Sequence, residues 1–262
     1  MKALVFLGGG RITSALIAGL RLSKYQRQII VHDRNPEKLR EICRKYRAGV
    51  EPNLHRAVEQ AGLLVIAVRP DSVRDLLEAI GSPKSALCAI TLAAGIPLKN
   101  LRLWLPSVRW VRAMPSPIAR FGRGLTALAF EPGLPRRVQN EVTSVFARVG
   151  KVLKLPEDKF DAFTVTYSTS HGYHALAGLA RAAERLGLEK ETALLASTHA
   201  LADGILAWRE ASVALDELLE EAATPGGIAA EVMRTMDDGG YQRIIERGLR
   251  AGLKRTRANA KR

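Results

Sequence analysis

Little in this chain favours a stapled, metal-built or membrane-spanning protein. Of 262 residues only 2 are cysteine, Cys43 and Cys88. They cannot form a disulfide framework, and their spacing is not that of a metal-ligand set. Both stand in apolar or helical contexts, which predicts buried or inert thiols in a reducing compartment. His32, His55 and His199 lack ligand partners at useful spacing, so no metal site is expected. No apolar run reaches membrane-spanning length. No basic segment followed by an apolar one opens the sequence, so no secretion signal is expected and the reading is cytoplasmic. Aromatics make up 5% of the chain, and no basic, aromatic-rich strand offers a stacking surface for bases. Internal repeats and low-complexity segments are absent.

The chain is 47% hydrophobic, enough for a sizeable core, and carries a net charge of +14. Such a balance attracts polyanions, nucleic acid included, and also suits a phosphorylated cofactor. The basic tail from Leu253 to Arg262 reads as a solvated helix end. Elsewhere Arg and Lys are interspersed with Glu and Asp on helical faces, so a nucleic-acid partner is not expected.

The stretch Leu7-Gly8-Gly9-Gly10-Arg11-Ile12-Thr13 organises the rest. An apolar run, Lys2 to Phe6, reads as a buried strand before it, and apolar residues at helical spacing follow it. A strand turning on glycines into a helix is the context of the dinucleotide fingerprint. Gly8 permits the turn, Gly10 lets a pyrophosphate approach the backbone, and the helix start presents free N–H groups. Thr13 stands at the third glycine position, so the fingerprint is incomplete. Ile29 to Asp33 reads as the second strand. Asp33, about 20 residues beyond Gly10, is placed to accept from ribose hydroxyls, which favours NAD. Arg34, followed by Asn35 and Lys38, could instead pair with a 2′-phosphate or be a solvated loop residue, and Arg11 adds weight to NADP.

Further strands are expected at Leu63–Val68, Ser85–Leu92, Val108–Ala113, Gly124–Phe130 and Lys151–Leu155, alternating with helices. That alternation implies a mostly parallel sheet. Ligands bind such sheets along the edge where Gly8, Asp33, Val68, Leu92 and Ala113 fall. After Leu155 the strands stop. Helices are expected at Gly172–Leu188, Lys190–Trp208, Leu215–Ala223, Ile228–Asp238 and Tyr241–Arg255. The second is apolar nearly all round and needs cover on every side, which points to a homodimer. The expected architecture is therefore an α/β Rossmann-type domain over residues 1–155 and an all-α dimerisation and substrate domain over residues 156–262.

In this order the motifs resemble the pyrroline-5-carboxylate reductase family nearly end to end. The resemblance rests on Gly8-Gly9-Gly10 with Ala15 and Gly19-Leu20, Ala67-Val68-Arg69-Pro70, Leu92-Ala93-Ala94-Gly95-Ile96, and Val111-Arg112-Ala113-Met114-Pro115. It continues in Gly122 to Leu128, Thr224-Pro225-Gly226-Gly227 and Asp238 to Gln242. It implies hydride transfer from the reduced form of NADP, which is preferred, or of NAD to the C=N bond of a cyclic imine acid. It also implies that Gly8, Gly10, Arg11 and Ile12 hold the pyrophosphate, and that Arg34 and Asn35 meet the adenosine ribose or its phosphate. Val68, Arg69 and Pro70 would pack along the dinucleotide, with Ala93, Ala94 and Gly95 near the nicotinamide ribose. Pro225, Gly226 and Gly227 would offer backbone N–H groups to the substrate carboxylate.

The departures gather on the substrate side. The family's Ser-Gly-Ser-Gly-Pro-Ala-Tyr stretch is replaced by Ser168-Thr169-Ser170-His171-Gly172-Tyr173-His174. Ala229 stands where the family has a Thr that faces the imine nitrogen, and Met114-Pro115-Ser116-Pro117-Ile118 replaces Met-Pro-Asn-Thr-Pro. Substrate binding is thus expected from Ser170, Thr224, Pro225, Gly226, Gly227 and Ala229. His171 or Tyr173 is expected to polarise the imine nitrogen in place of the hydroxyl lost at Ala229, unless both merely cap and pack the helix start. Three readings stand: an imine reductase, preferred; a catalytically impaired dinucleotide-binding sensor or scaffold; and a nucleic-acid-associated protein.

Overall fold

A computed structural model describes residues 2–83 and 87–261. Strand β1 (Ala3–Leu7) shows how the first half is built. Its side chains alternate across the sheet: Leu4 and Phe6 enter one apolar core, and Ala3, Val5 and Leu7 the other. The strand is buried on both faces and so reads as a continuous apolar run. The remaining strands are β2 (Ile29–His32), β3 (Gly49–Val50), β4 (Ala61–Ile66), β5 (Leu87–Thr91), β6 (Val108–Met114), β7 (Gly124–Phe130) and β8 (Gly150–Lys154). They form one sheet in the order β3-β2-β1-β4-β5-β6-β7-β8. Every neighbouring pair is parallel except β6 and β7.

Helices α1 (Arg11–Leu22), α2 (Pro36–Tyr46), α3 (Leu54–Glu59), α4 (Val73–Ile80), α5 (Leu98–Trp104), α6 (Arg136–Ala147) and α7 (Glu157–Thr166) follow in chain order. Leu16, Ile17 and Leu20 of α1, with Val142 and Phe146 of α6, fill the Leu4–Phe6 core. Val73 and Leu77 of α4, with Leu98 and Leu101 of α5, fill the other. The Rossmann-type expectation holds. The two-residue β3, exposed throughout, and helices α5 and α7 were not anticipated. Strand β5 was expected to start at Ser85, but Ser85 and Ala86 lie outside the described residues, as does Arg262 of the tail. Cys88 is buried, whereas Cys43 is exposed on α2, so burial holds for one of the two.

The second half is helical: α8 (Thr169–Arg185), α9 (Lys190–Glu210), α10 (Leu215–Ala222), α11 (Ile228–Asp238) and α12 (Tyr241–Ala258). Helix α8 starts three residues earlier than expected, because Ser168 takes the cap position and its side chain accepts from Ser170 N. No helix among the described residues is long and apolar enough to cross a membrane. The chain divides into two compact units, residues 1–167 with 252–262, and residues 168–251. The first compact unit thus extends through α7, past residue 155. Phe160 of α7 packs with Ala127 and Ala129 of β7, and that contact keeps the helix with the sheet. The end of α12 also belongs to the sheet unit, so the tail is not simply a solvated helix end. Thr256 is buried there.

Candidate functional site

The strand order reverses around β1, with β2 on one side and β4 on the other. The crevice beyond the carboxyl ends of these strands is where such sheets take ligands. The sheet bonding runs one step past the end of β1: Gly8 N donates to His32 O at 2.8 Å, and Ala67 N donates to Leu7 O at 2.8 Å. The chain must then turn, and Gly8 does so at φ +109°. A Cβ on Gly8 would lie 2.8 Å from Ala67 O. Thr13 explains the missing third glycine. It is fully buried, and its hydroxyl donates to Gly8 O at 2.6 Å, pinning the turn from inside α1.

Gly10 differs from its neighbours. It is the N-cap residue of α1, at φ −78°, and no side chain caps this helix. A Cβ built on Gly10 meets nothing within 4 Å. The space before the α1 N-terminus is therefore open, and free N–H groups and the positive helix end face it. Arg11 is exposed at the first helical position and Ile12 is half-buried behind it.

Asp33 follows the end of β2, but its carboxylate is turned inward. Oδ2 accepts from Gly9 N at 2.7 Å and Oδ1 from Asn35 N at 2.8 Å. Lys38 Nζ lies 3.7 Å from Oδ2. Asp33 thus holds the glycine turn to the β2 end. Asn35 is occupied as well: its side-chain oxygen caps α2, accepting from Glu37 N at 2.8 Å. Arg34 is exposed between them. Among the described residues neither Arg11 nor Arg34 makes an ion pair.

The other two expected cofactor segments reach the same edge. After β4 come Val68, half-buried against the α4–α5 core, then exposed Arg69 and Pro70 at the start of a short 3-10 turn. After β5 come Ala93, Ala94 and Gly95. Ala93 N donates to Thr91 Oγ1 at 3.2 Å. The structure therefore brings all four segments expected to bind the cofactor to one edge of one sheet.

At the end of β6, Ser116 is buried, and its hydroxyl lies 2.9 Å from the hydroxyl of Tyr167. The Tyr167 oxygen also accepts from Leu125 N at 2.8 Å. Sequence reasoning missed this link, and also Arg112. That guanidinium is buried over the Phe160 ring at 4.5 Å and paired with Asp161 at 2.5 Å and Glu157 at 3.4 Å. The signal was a charged residue inside an apolar strand, matched by carboxylates one helical turn apart on the segment left unassigned.

The expected substrate residues all lie in the helical unit. Ser170, His171 and Tyr173 occupy the first turns of α8. Ser170 Oγ lies 2.7 Å from Ser168 Oγ, and Tyr173 is largely exposed. Thr224 to Gly227 form the turn before α11. Gly226 has φ +76°, and Gly227 N donates to Thr224 O at 2.9 Å. Gly227 caps α11 without a side chain, so this helix also begins with open N–H groups. Ile228 and Ala229 beside them are exposed. Within the unit α8 packs chiefly on α9.

Among the described residues no three His, Cys, Asp or Glu side chains gather into a group that could hold a metal ion.

Comparison with known proteins finds separate matches for the two halves of the chain. Residues 3–95 match a family model described as NADP oxidoreductase, coenzyme F420-dependent. Residues 157–259 match one described as pyrroline-5-carboxylate reductase dimerisation. A pyrroline-5-carboxylate reductase of Mycobacterium leprae is 29% identical, over 96% of this chain and 94% of that protein. A solved pyrroline-5-carboxylate reductase from Coxiella burnetii superposes with a TM-score of 0.88 at 24% identity, covering 100% of this chain and 99% of that one. The Plasmodium falciparum pyrroline carboxylate reductase, crystallised with NADP bound, gives a TM-score of 0.87 at 16% identity, covering 99% and 98%. At these identities the two structures establish the fold. With both family models in chain order and a relative aligned along nearly its whole length, the chain is similar to the pyrroline-5-carboxylate reductases from end to end, and residues 157–259 match their dimerisation model.

Proposed function

We propose that this protein is an NAD(P)H-dependent reductase of a cyclic imine, 1-pyrroline-5-carboxylate or a close relative of it, acting as a homodimer through its helical half. The observation that carries the reading is Gly10: an uncapped helix start faces space that no protein atom fills, at the crevice between β1 and β4. A dinucleotide pyrophosphate fits that cradle. Gly8, Gly10, Arg11 and Ile12 would hold it. Val68 to Pro70 would line the dinucleotide, and Ala93 to Gly95 would lie beside the nicotinamide ribose.

A bound nicotinamide supplies the hydride; the chain supplies orientation and charge. Each oxygen of the Asp33 carboxylate already accepts a backbone N–H, from Gly9 and Asn35, while Arg34 and Arg11 are exposed at the same edge. That balance favours a 2′-phosphate, hence NADPH over NADH. The α11 start at Gly226 and Gly227 would receive the substrate carboxylate through backbone N–H groups. Ala229 has no hydroxyl for the imine nitrogen, so the proton is assigned to His171 or Tyr173 at the start of α8. Cyclic imines are basic enough to arrive partly protonated, so this group assists rather than creates the electrophile.

The test is oxidation of NADPH and of NADH with a panel of five- and six-membered cyclic imines, with and without a carboxylate. Turnover of at least one carboxylated imine, faster with NADPH, is expected. His171→Ala or Tyr173→Phe should lower kcat; if neither does, that proton assignment fails. The loss of the family hydroxyl at position 229 keeps a second reading, a dinucleotide-binding sensor or scaffold. Tight NADPH binding without turnover of any imine would favour it.

A further inference from the structure

The Ala93–Gly95 turn is held by the far end of the chain. After α12 the backbone makes a 3-10 turn over Asn259–Lys261. Asn259 Nδ2 donates to Ala94 O at 3.0 Å. Asn100 Nδ2, on α5, donates in turn to Ala260 O at 2.8 Å. Between these bonds the last turn of α12 lies flat on Gly95. A Cβ there would collide with Thr256 O, so this glycine, at φ +79°, has no room for any side chain. Thr256 is buried, and its own hydroxyl is spent on Gly252 O. On the sheet side Thr91 Oγ1 accepts from Ala93 N. The turn is thus fixed from the sheet and from the tail.

We propose that residues 256–260 form a clamp that sets the position of the Ala93–Gly95 turn and, through it, the nicotinamide half of the cofactor. Asn259 is the positioning residue. The inference rests on the dinucleotide reading above. Its physical basis is direct. Ala94 O follows the end of β5, where the sheet ladder no longer holds the backbone, and a turn without a bonded carbonyl has more freedom. A displacement of about 1 Å at a hydride-transfer site costs far more in rate than in stability. Helix α12 is also shared: residues up to Ala251 belong to the helical unit and those from Gly252 to the sheet unit. The clamp is therefore the covalent continuation of the half assigned to the substrate.

Asn259→Ala removes the donor. Asn259→Asp keeps the shape but sets a carboxylate against the Ala94 carbonyl. Both would be compared with the unaltered full-length protein by fluorescence titration with NADPH and by competition with adenosine 2′,5′-bisphosphate, which spans only the adenosine half. The expected result is a rise of about fivefold in the NADPH Kd for Asn259→Ala, the worth of one ordinary hydrogen bond. Asn259→Asp should lose more, with the bisphosphate affinity unchanged in both variants and kcat lowered even at saturating NADPH. An NADPH Kd within twofold of the unaltered protein in both variants overturns the clamp. So does an equal loss for NADPH and the bisphosphate, which marks general loosening. Failure of the unaltered protein to bind NADPH at all would overturn the dinucleotide reading instead.

Discussion

Gly8 and Gly10 lack a side chain for different reasons. At Gly8 the backbone is left-handed and a Cβ would strike the Ala67 carbonyl, so the requirement is conformational. At Gly10 the backbone is ordinary and the space is empty, so the fold imposes no requirement. Gly10→Val should leave far-UV circular dichroism and the melting temperature close to those of the parent while abolishing NADPH binding by titration. Gly8→Ala should lower stability by about 2 kcal/mol or more. Undiminished NADPH affinity in Gly10→Val would move the dinucleotide elsewhere. The cysteines differ as sharply. Burial pushes the Cys88 thiol up to about 12, with the Glu131 carboxylate the next contribution. Cys43 is exposed. A native thiol titration should find one reactive group per chain, and the second only in denaturant. The sign for stability follows. A thiol whose pKa is raised on folding favours the folded state below about pH 9. Above that, the unfolded chain loses its proton first, and the contribution declines until about pH 12. Replacing Cys88 with Ala should make the melting temperature less sensitive to a change from pH 8 to pH 10.

Helix α7 shows what an element owes to charges that its own periodicity does not announce. Only Phe160 is buried among its ten residues. It is fastened to β6 by Arg112, whose guanidinium is 2% exposed and bonds to Asp161 and Glu157, and Glu157 also accepts from Leu98 N at 2.5 Å. Arg112 Nε has no hydrogen-bond partner among the described residues, so the guanidinium depends on those carboxylates. Asp161→Ala leaves the buried guanidinium with only the longer Glu157 contact and should cost about 3 kcal/mol in urea unfolding. Pairing it with Arg112→Met should recover most of that loss, because the buried cation is then gone and Glu157, partly exposed, keeps its bond from Leu98 N. An additive double variant would mean the pair contributes little. The same logic separates what could be read in advance from what could not. Strands β1, β2, β4 and β5 and the turns that follow them were legible because each is an apolar run ending in small or turn-forming residues. The partners of Thr13, Asp33, Asn35 and Asn259 were not legible. In each, a polar side chain bonds a distant backbone atom, and sequence spacing carries no trace of that partner. The α8 and α11 starts were legible as glycine- and serine-rich openings, but not which of them meet.

For the whole molecule, the decisive feature is a helical unit that covers few of its own apolar side chains. Along the 21 residues of α9 only Ala193 and Ser197 are buried, while Leu195 is 62% and Leu206 is 56% exposed. Eleven residues make close to three turns, so Leu195 and Leu206 lie on one face of the helix. Val232 of α11 and Ile244 and Ile245 of α12 are also exposed. Patches of this kind mark association surfaces rather than monomer exteriors. A second copy supplies matching apolar faces, as expected for the dimerisation family that residues 157–259 match. It would also let the α8 start of one protomer meet the α11 start of another. Leu195→Glu combined with Leu206→Glu should therefore convert the dimer to monomer in light scattering. All cofactor segments lie in residues 1–167, so that monomer should retain NADPH affinity within a fewfold while losing imine turnover. A variant that stays dimeric would place the interface on other helices. A monomer with full turnover would show that each protomer completes its substrate site alone.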